Sequence, residues 1–449
     1  MFQVGQKTIK NKRMKKGVHF LLCVCAISCM AVTCKKQSAG DPVNPPGDTA
    51  LVNTSHLDYL YTPVTFSTGT NAAGVFIYAE APDYHLVADS DEGYTCVDDV
   101  SRAALVYLRS NKFSTDTATQ SKVFKLISFL LEMQSSNGYF YNFLLTGNQI
   151  NTNGITSINN PDWWSWRALQ TLTEGSPLIK IKNPQLSEKM DQAVNKLVAA
   201  IKTDMVNRPQ TTKEVSGITV PQWLPAGSGT DQAALLILGL IPYCTNTNDT
   251  VMTAYVKKLA DGIALMQQGN AANYPYGAFL SWENTWHAYG NDQAYALLKA
   301  GVFLNDPLYT SKAMTEVDNF YPWLLQNGLK SSFVVANNGS GIQLTSEKSF
   351  EQIAYGIRPM VFAAIEAYRL TGQNKYADMA GHLSAWFLGK NSANRIMYSI
   401  ATGRCYDGIS SAANVNINSG AESTIEALLT MERVERYPAV KIALNKYKK

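Results

Sequence analysis

Carboxylic acids and tryptophans occur together at two points of the sequence. Asp162 directly precedes Trp163, and Glu283 lies between Trp282 and Trp286. Indole rings stack on the C–H faces of sugar rings, while carboxyl groups bind sugar hydroxyls or protonate a glycosidic oxygen. This combination predicts a carbohydrate-binding cleft in which Asp162 and the three tryptophans contact the substrate.

Hydrolysis of a glycosidic bond needs two carboxyl groups, one protonated and one ionised. We expect Glu283 to be the acid, because the flanking tryptophans would desolvate it and raise its pKa. The base is expected to be Asp99 or Asp98. Arg102 follows Asp98 by four residues, and an ion pair at this helical spacing would keep Asp98 ionised.

Glu422 is the alternative for either catalytic role. It follows Asn416 and Asn418, whose amides would either bind sugar hydroxyls or shape the loop into the last helix. Arg358 lies in an apolar segment, so if buried it needs an acid partner such as Glu351 or an anionic substrate.

The elements that position these residues are predicted to be helices in pairs. Long amphipathic segments follow one another with few strand signals. Predicted helices cover residues 97–110, 119–134, 162–174, 186–207, 230–243, 250–267, 285–303, 309–326, 351–370, 375–388 and 421–436. First members recur about every 55 to 70 residues, as expected of a repeat architecture.

This spacing predicts an all-α fold, an (α/α)6 toroid of six hairpins that forms one domain over residues 51–449. The sixth hairpin lacks a second helix at the C-terminus in this interpretation, and residues 55–61 are expected to supply it. The loops that enter the inner helices would then bring the acids together in a funnel at one mouth.

The N-terminus has the pattern of an export signal. A basic region over residues 7–16 precedes an apolar stretch over residues 18–32. The end of residues 1–33 resembles the lipoprotein signals of Bacteroidetes-type bacteria, which implies a lipid on Cys34, with Cys29 as the alternative. Residues 34–50 predict a flexible tether. We expect an exported protein held at the cell envelope by its lipid anchor, with no other membrane attachment.

Composition excludes several classes of protein. With 46% hydrophobic and 16% charged residues, the chain is globular and not disordered. Six of the 39 basic residues precede residue 34, where there is no acid, so the remaining basic residues are fewer than the 35 acids. A nucleic-acid partner is therefore not expected. No metal-ligand spacing and no phosphate-binding glycine loop occurs, so we expect no metal and no cofactor.

Several motifs together resemble a poorly characterised family of six-hairpin, glycosidase-like bacterial proteins. They include the segments over residues 93–99, 166–169, 367–372, 386–391 and 416–424, and Trp282-Glu283 followed by Asn291. The resemblance spans about residues 84–431 and implies a toroid that hydrolyses a poly- or oligosaccharide. Tyr94 and Asn291 lie in these motifs, and we expect both to bind substrate. Because (α/α)6 hydrolases mostly invert configuration, the carboxyl pair is expected to lie roughly 6.5–9.5 Å apart.

Two other functions remain open. His287, expected to contact substrate, and Tyr289 could act in β-elimination of a uronic-acid polymer, although the acids at the entrance do not favour such a lyase. A non-catalytic glycan-binding lipoprotein would also use tryptophan platforms. Such proteins have repeats nearer about 34 residues, which the present spacing does not match.

Overall fold

The computed structural model describes residues 50–449. The predicted signal, nearly all of the tether and Cys34 lie outside this range. Helices dominate the described residues: α1 (Ser55–Leu60), α2 (Val97–Arg109), α3 (Thr117–Glu132), α4 (Trp163–Lys180), α5 (Pro184–Asn207), α6 (Thr230–Thr247), α7 (Thr250–Leu265), α8 (Gln293–Leu304), α9 (Pro307–Asn327), α10 (Ala354–Thr371), α11 (Asn374–Ser384), α12 (Ala421–Glu435) and α13 (Pro438–Tyr447).

Six inner helices form a closed ring. Helices α2, α4, α6, α8, α10 and α12 each pack on the next, and α12 packs on α2 to complete the circle. The inner helices are buried almost all round: on α10, every residue from Ala354 to Ala367 is buried. The outer helices α3, α5, α7, α9, α11 and α13 cover the ring, and α5 buries one face only. This arrangement confirms the predicted (α/α)6 toroid.

The sixth hairpin differs from the prediction. Its outer helix is α13, which packs on α11 and α12, whereas residues 55–61 form only the short helix α1 and the start of a strand. The prediction missed α13 because this helix is short and buries only Val440, Ala443 and Leu444. The ring is therefore closed by the C-terminal segment.

Short strands occupy the connections that lead into the inner helices. They are β1 (Tyr61–Thr65), β2 (Asn71–Val75), β3 (Tyr78–Glu80), β4 (His85–Val87), β5 (Thr95–Cys96), β6 (Phe143–Leu145), β7 (Gln149–Ile150), β8 (Thr212–Val215), β9 (Ile218–Pro221), β10 (Thr285–His287), β11 (Ser332–Asn337), β12 (Ile342–Lys348), β13 (Gly408–Ser411) and β14 (Asn414–Asn416). They pair antiparallel in six small sheets.

The fourth inner helix begins later than predicted. Residues 285–287 form strand β10, which pairs with β11, and α8 begins only at Gln293. Thus the strands, which the sequence indicated weakly, build the loops at one mouth of the toroid. Within the described range, no helix has the length and apolar character needed to cross a membrane.

One buried carboxyl supports a loop at this mouth. Glu316 on α9 is 3% exposed, and its Oε1 accepts a hydrogen bond from the backbone N–H of Phe279 at 3.1 Å. Burial raises its pKa from 4.5 to about 8. In the folded protein Glu316 therefore keeps its proton up to about pH 8, whereas in the unfolded chain it loses this proton above about pH 4.5. Because of this difference, Glu316 makes the free energy of unfolding fall as pH rises from 4.5 toward 8.

We predict that Glu316→Gln removes this loss, because glutamine has the shape of the protonated acid and does not titrate. The difference in unfolding free energy between the variant and wild type should increase by roughly 2–4 kcal/mol from pH 5 to pH 8. Denaturant unfolding at both pH values measures this. The exposed Glu188→Gln on α5 is the control, and an equal effect of Glu316→Gln at both pH values would contradict the prediction.

Candidate active site

Three of the four predicted catalytic carboxylates meet at one arginine. Asp98 and Asp99 lie in the first turn of α2, and Arg102 follows one turn later. Its Nη2 contacts Asp98 Oδ2 at 2.9 Å, Asp99 Oδ1 at 2.7 Å and Glu422 Oε2 at 3.4 Å. Glu422 comes from the first turn of α12, so the contact joins the two helices at which the ring closes.

A second group of ion pairs, formed by Arg102, Glu426, Arg358 and Asp292, lies directly behind these carboxylates. Arg102 Nη1 also contacts Glu426 Oε1 at 2.8 Å, and the other Glu426 oxygen pairs with Arg358. Arg358 Nη2 contacts Asp292 Oδ2 at 2.9 Å. Arg358 was expected to need an acid partner such as Glu351 or an anionic substrate. The structure gives it the acid partners Asp292 and Glu426 instead of Glu351.

The ring of Tyr355 on α10 packs against three arginines. The guanidinium carbons of Arg102, Arg167 and Arg358 lie 5.4, 4.7 and 5.7 Å from its centroid. Arg167 on α4 also forms an ion pair with Asp98. Asp98 is thus held by two arginines.

Glu422 differs from the other carboxylates of this group. Its side chain is 44% exposed, yet the carboxyl is surrounded by protein at the base of the mouth. Desolvation raises its pKa to about 7, with the carboxylates of Asp99, Glu426 and Asp98 acting in the same direction, whereas Arg102 lowers it. Glu422 is therefore a carboxyl on a partly exposed side chain, with a pKa raised toward neutrality.

Asp162 and Asp231 extend the acidic surface around the ring. Asp162 caps α4 by accepting a hydrogen bond from the N–H of Trp163 at 2.8 Å. Burial raises the pKa of Asp162 to about 6, and Asp231 and Asp98 add to this. Asp231 on α6 contacts His287 Nε2 at 3.0 Å, while His287 Nδ1 lies 2.8 Å from the carbonyl oxygen of Tyr289. Both ring nitrogens of His287 therefore face acceptors.

Trp163, Tyr289 and Tyr355 form an aromatic wall next to these charged residues. The partly exposed Trp163 lies with its ring centroid 6.4 Å from Tyr289 and 6.5 Å from Tyr355. Gly290 approaches the wall with φ +65°, and a Cβ there would lie 2.8 Å from the Trp163 ring and from the Tyr355 hydroxyl. A side chain at residue 290 would therefore displace the wall. We call the following residues the mouth cluster: Asp98, Asp99, Arg102, Asp162, Trp163, Arg167, Asp231, His287, Tyr289, Tyr355 and Glu422.

The predicted acid Glu283 is not part of the mouth cluster. It adopts a left-handed conformation, with φ +49°, and its Oε1 pairs with Lys213 Nζ of β8 at 2.7 Å. Trp286 does not flank it: this side chain is 1% exposed and stacks on Phe333 at 5.0 Å. The expected desolvation by Trp286 is wrong, and Trp286 belongs to the core instead of to a substrate platform.

The remaining predicted binding residues have mainly structural contacts. The Tyr94 hydroxyl donates to Asn148 Oδ1 at 2.6 Å. Asn418 Oδ1 accepts from the N–H of Ala81 at 3.0 Å, and Asn416 Oδ1 accepts from the N–H of Asn418 at 3.2 Å, so both amides shape the loop. The Trp282 indole N–H donates to a backbone carbonyl at 3.1 Å.

Sequence reasoning did not identify Asp292, Glu426 or Tyr355 and gave Arg167 no role. Each lies in or directly before an inner helix whose other residues are mostly buried and apolar. A charged side chain inside such a helix is the signal that could have found Arg167 and Glu426, because buried charges require partners. Asn291, which was predicted, is buried with no hydrogen-bond partner for Oδ1 among the described residues.

Over residues 50–449, no group of three His, Cys, Asp or Glu side chains is arranged to hold a metal ion.

No family model matches this chain, and no curated protein matches it by sequence. Solved structures do share its fold. Cellobiose 2-epimerase from Bacillus thermoamylovorans B4167 aligns with a TM-score of 0.57 and 12% identity, over 81% of this chain and 92% of that chain. Cellobiose 2-epimerase from Spirochaeta thermophila DSM 6192 aligns with a TM-score of 0.55 and 11% identity, over 83% and 91%.

A Zn-binding triple mutant of the GH family 9 endoglucanase J30 aligns with a TM-score of 0.50 and 10% identity, over 86% of this chain and 83% of that chain. At such low identity, these similarities establish the fold alone. The chain has the (α/α)6 toroid fold that the epimerases and the endoglucanase share.

Proposed function

We propose that this protein is a carbohydrate-processing enzyme that hydrolyses glycosidic bonds of a poly- or oligosaccharide at the mouth cluster. One observation carries the proposal: Glu422, an accessible carboxyl with a pKa of about 7, shares a guanidinium nitrogen with the ion-paired Asp98. The names of the solved structures with this fold, two cellobiose epimerases and an endoglucanase, support a sugar substrate.

Glu422 and Asp98 have different roles in this mechanism. Glu422 holds its proton up to about pH 7 and donates it to the departing glycosidic oxygen. Asp98, paired with Arg102 and Arg167, attacks the anomeric carbon as the glycosidic C–O bond breaks. The leaving sugar takes the Glu422 proton, and a water deprotonated by Glu422 then hydrolyses the bond between Asp98 and the sugar. Trp163 offers a partly exposed ring on which that sugar can stack.

The separation of the two carboxylates bears on the stereochemistry. Asp98 Oδ2 and Glu422 Oε2 lie 2.9 Å and 3.4 Å from the same Arg102 nitrogen. These oxygens are therefore closer together than the roughly 6.5 Å at which an inverting pair can admit a water between them. We propose that this pair acts with retention, in place of the inversion expected from the sequence.

The mouth cluster favours uncharged glycans over uronic-acid polymers. Its acids outnumber its arginines, and a polyanionic chain would meet repulsion there. Burial raises the pKa of Tyr289 to about 12, which makes this hydroxyl a poor base for β-elimination. Lyase chemistry is thus less well supported than hydrolysis.

His287 supports one second candidate, a sugar epimerase. Its Nε2 contacts Asp231 at 3.0 Å, and a histidine–carboxylate pair could transfer a proton at a sugar carbon once substrate displaces this contact and frees Nε2 or the carboxylate to act as the base. Two solved structures with this fold are named as epimerases. The reaction would change the sugar without releasing new reducing ends.

We predict that Glu422→Gln and Asp98→Asn each lower reducing-sugar release by about 10²-fold or more, because each removes one of the two carboxyl roles. The assay uses a panel of neutral and acidic oligo- and polysaccharides. Glu283→Gln is the matched control and should stay within a few-fold of wild type. Proton NMR of the wild-type product should show the first-formed anomer with retained configuration.

Thermal unfolding of each variant separates loss of chemistry from loss of folding. Loss of activity in Glu283→Gln, with both other variants active, would return the acid role to Glu283. Glycan binding without any product would favour a non-catalytic receptor, and ultraviolet absorbance of an unsaturated uronide would favour a lyase. Solvent deuterium in an epimerised product would favour the epimerase.

The pH dependence should follow Glu422. Since its raised pKa is about 7, the protonated acid is lost above this pH, and kcat/KM should fall there as pH rises. Glu422→Asp should keep a descending alkaline limb at a lower rate, whereas the residual activity of Glu422→Gln should lack it. An unchanged limb in Glu422→Gln would assign the acid to another group.

We also propose, from the N-terminal sequence, that the protein is exported and anchored to the cell envelope by a lipid on Cys34. When the full chain is expressed in a Bacteroidetes host with labelled palmitate, wild type and Cys29→Ser should incorporate label, and Cys34→Ser should not. The reverse result would place the lipid on Cys29. Labelling of neither or of both variants would contradict a single anchor at Cys34.

A further inference from the structure

The hydroxyl of Tyr355 is buried beside the proposed sugar platform and has no hydrogen-bond partner. Tyr355 lies in the first turn of α10 and is 5% exposed, and no residue in the described range pairs with its Oη. Its ring meets Trp163 edge to face, with 79° between the ring planes. A Cβ on Gly290 would lie 2.8 Å from this hydroxyl and from the Trp163 ring. The hydroxyl therefore lies where the turn at Gly290 meets the platform.

The contacts of Tyr355 within the protein need its ring but not its hydroxyl. The ring packs against Arg102, Arg167 and Arg358, and a phenylalanine ring would present the same face to them. The hydroxyl is buried without a compensating hydrogen bond, which is unfavourable for folding. Burial also raises the pKa of Tyr355 well above its usual value, so the hydroxyl keeps its proton and can donate. A buried donor without a partner requires an explanation, and a bound ligand supplies one.

A second unpaired polar group lies one residue from Gly290. Asn291 is 4% exposed, and its Oδ1 has no hydrogen-bond partner among the described residues. This amide oxygen can only accept a hydrogen bond, whereas the Tyr355 hydroxyl can donate one. Residues 288–292 connect β10 to α8 and belong to neither element, and Gly290 lies in their middle with φ +65°. This turn can therefore shift without breaking a strand pairing or a helix.

We propose that the Tyr355 hydroxyl donates a hydrogen bond to a hydroxyl group of the sugar that stacks on Trp163, and that Asn291 Oδ1 accepts a hydrogen bond from the same sugar. The turn at Gly290 shifts as the sugar binds and gives it access to both groups. A sugar hydroxyl can accept one hydrogen bond and donate another, which matches the two unpaired groups. The contact depends on the proposed sugar site, but hydrolysis and epimerisation would use it equally.

This contact determines which sugars the mouth cluster accepts. A site whose buried polar group pairs with a substrate hydroxyl rejects an analogue that lacks this hydroxyl, because the polar group is then left unpaired. The sugar on Trp163 must therefore carry a free hydroxyl at the contacted carbon. A deoxy sugar leaves the Tyr355 hydroxyl unpaired, and an O-acetyl group at that carbon is too large for the buried contact.

Tyr355→Phe tests the contact, because it removes the hydroxyl and keeps the ring. Tyr139→Phe is the matched control: Tyr139 is 8% exposed, its hydroxyl is also unpaired among the described residues, and it packs on Trp166 outside the mouth cluster. Calorimetry measures binding of cellotetraose and a panel of other neutral oligosaccharides in the Glu422→Gln background, which limits turnover. Tyr355→Phe should weaken binding of the best-bound oligosaccharide about fivefold or more, while both variants unfold at or above the temperature of the background protein. Equal affinity of the two variants would overturn the proposal.

Monodeoxy analogues of that oligosaccharide locate the contacted hydroxyl. One analogue should bind the background protein about fivefold or more weakly than the unmodified sugar does, and the same deoxygenation should cost Tyr355→Phe less affinity by about threefold or more. Equal losses for both proteins with every analogue would contradict a contact with Tyr355.

The outcomes separate this contact from the proposed reaction. No binding of any oligosaccharide would contradict the sugar site and the Tyr355 contact together, whereas binding without hydrolysis by wild type would contradict hydrolysis alone. If Tyr355→Phe does not fold, a crystal structure of the background protein with the bound sugar decides. A sugar oxygen within hydrogen-bond distance of Tyr355 Oη would support the contact, and an ordered water or no partner there would overturn it.

Discussion

Glu426 makes the contact on which the toroid and its mouth depend. This carboxylate on α12 is fully buried and binds Arg102 of α2 and Arg358 of α10. It therefore links the last inner helix both to the first and to its predecessor, at the position where the ring closes. Removing one partner of a buried ion pair typically costs about 3–5 kcal/mol. The same contact holds the Arg102 guanidinium, which binds Asp98, Asp99 and Glu422. One ion pair therefore both closes the ring and positions the carboxylates of the site.

Burial and the balance of charge around this contact leave one carboxyl for the proposed role of acid. Three arginines, Arg102, Arg167 and Arg358, face five carboxylates, Asp98, Asp99, Asp292, Glu422 and Glu426. Arg358 neutralises Asp292, and Glu426 has two arginine partners, which keep its pKa low. Desolvation by burial raises the pKa values of Asp99 and Glu422, and neighbouring carboxylates add to this. Of these two, only Glu422 is open to solvent.

The sequence predicted the toroid well because hydrophobic periodicity and hairpin spacing depend on each helix and its neighbours along the chain. It also predicted that Asp98, Asp99 and Glu422 share the mouth, since all three follow loops into inner helices. Contacts between distant segments were not predictable in this way. Lys213, which neutralises Glu283, lies 70 residues earlier, and no local pattern joins them. Helix α13 was missed because its apolar face is small, so that the sequence of this segment looks like a charged tail.

One local difference in secondary structure explains why Glu283 lies outside the mouth cluster, contrary to the prediction. A helix over residues 285–303 would direct side chains near Glu283 and Trp286 to the same face. In the strand β10, successive side chains instead point to opposite sides. Trp286 therefore packs into the core against Phe333, while His287 turns to Asp231 in the mouth cluster. This alternation takes Trp286 away from Glu283, and His287, the next residue, becomes the part of the segment that faces the site.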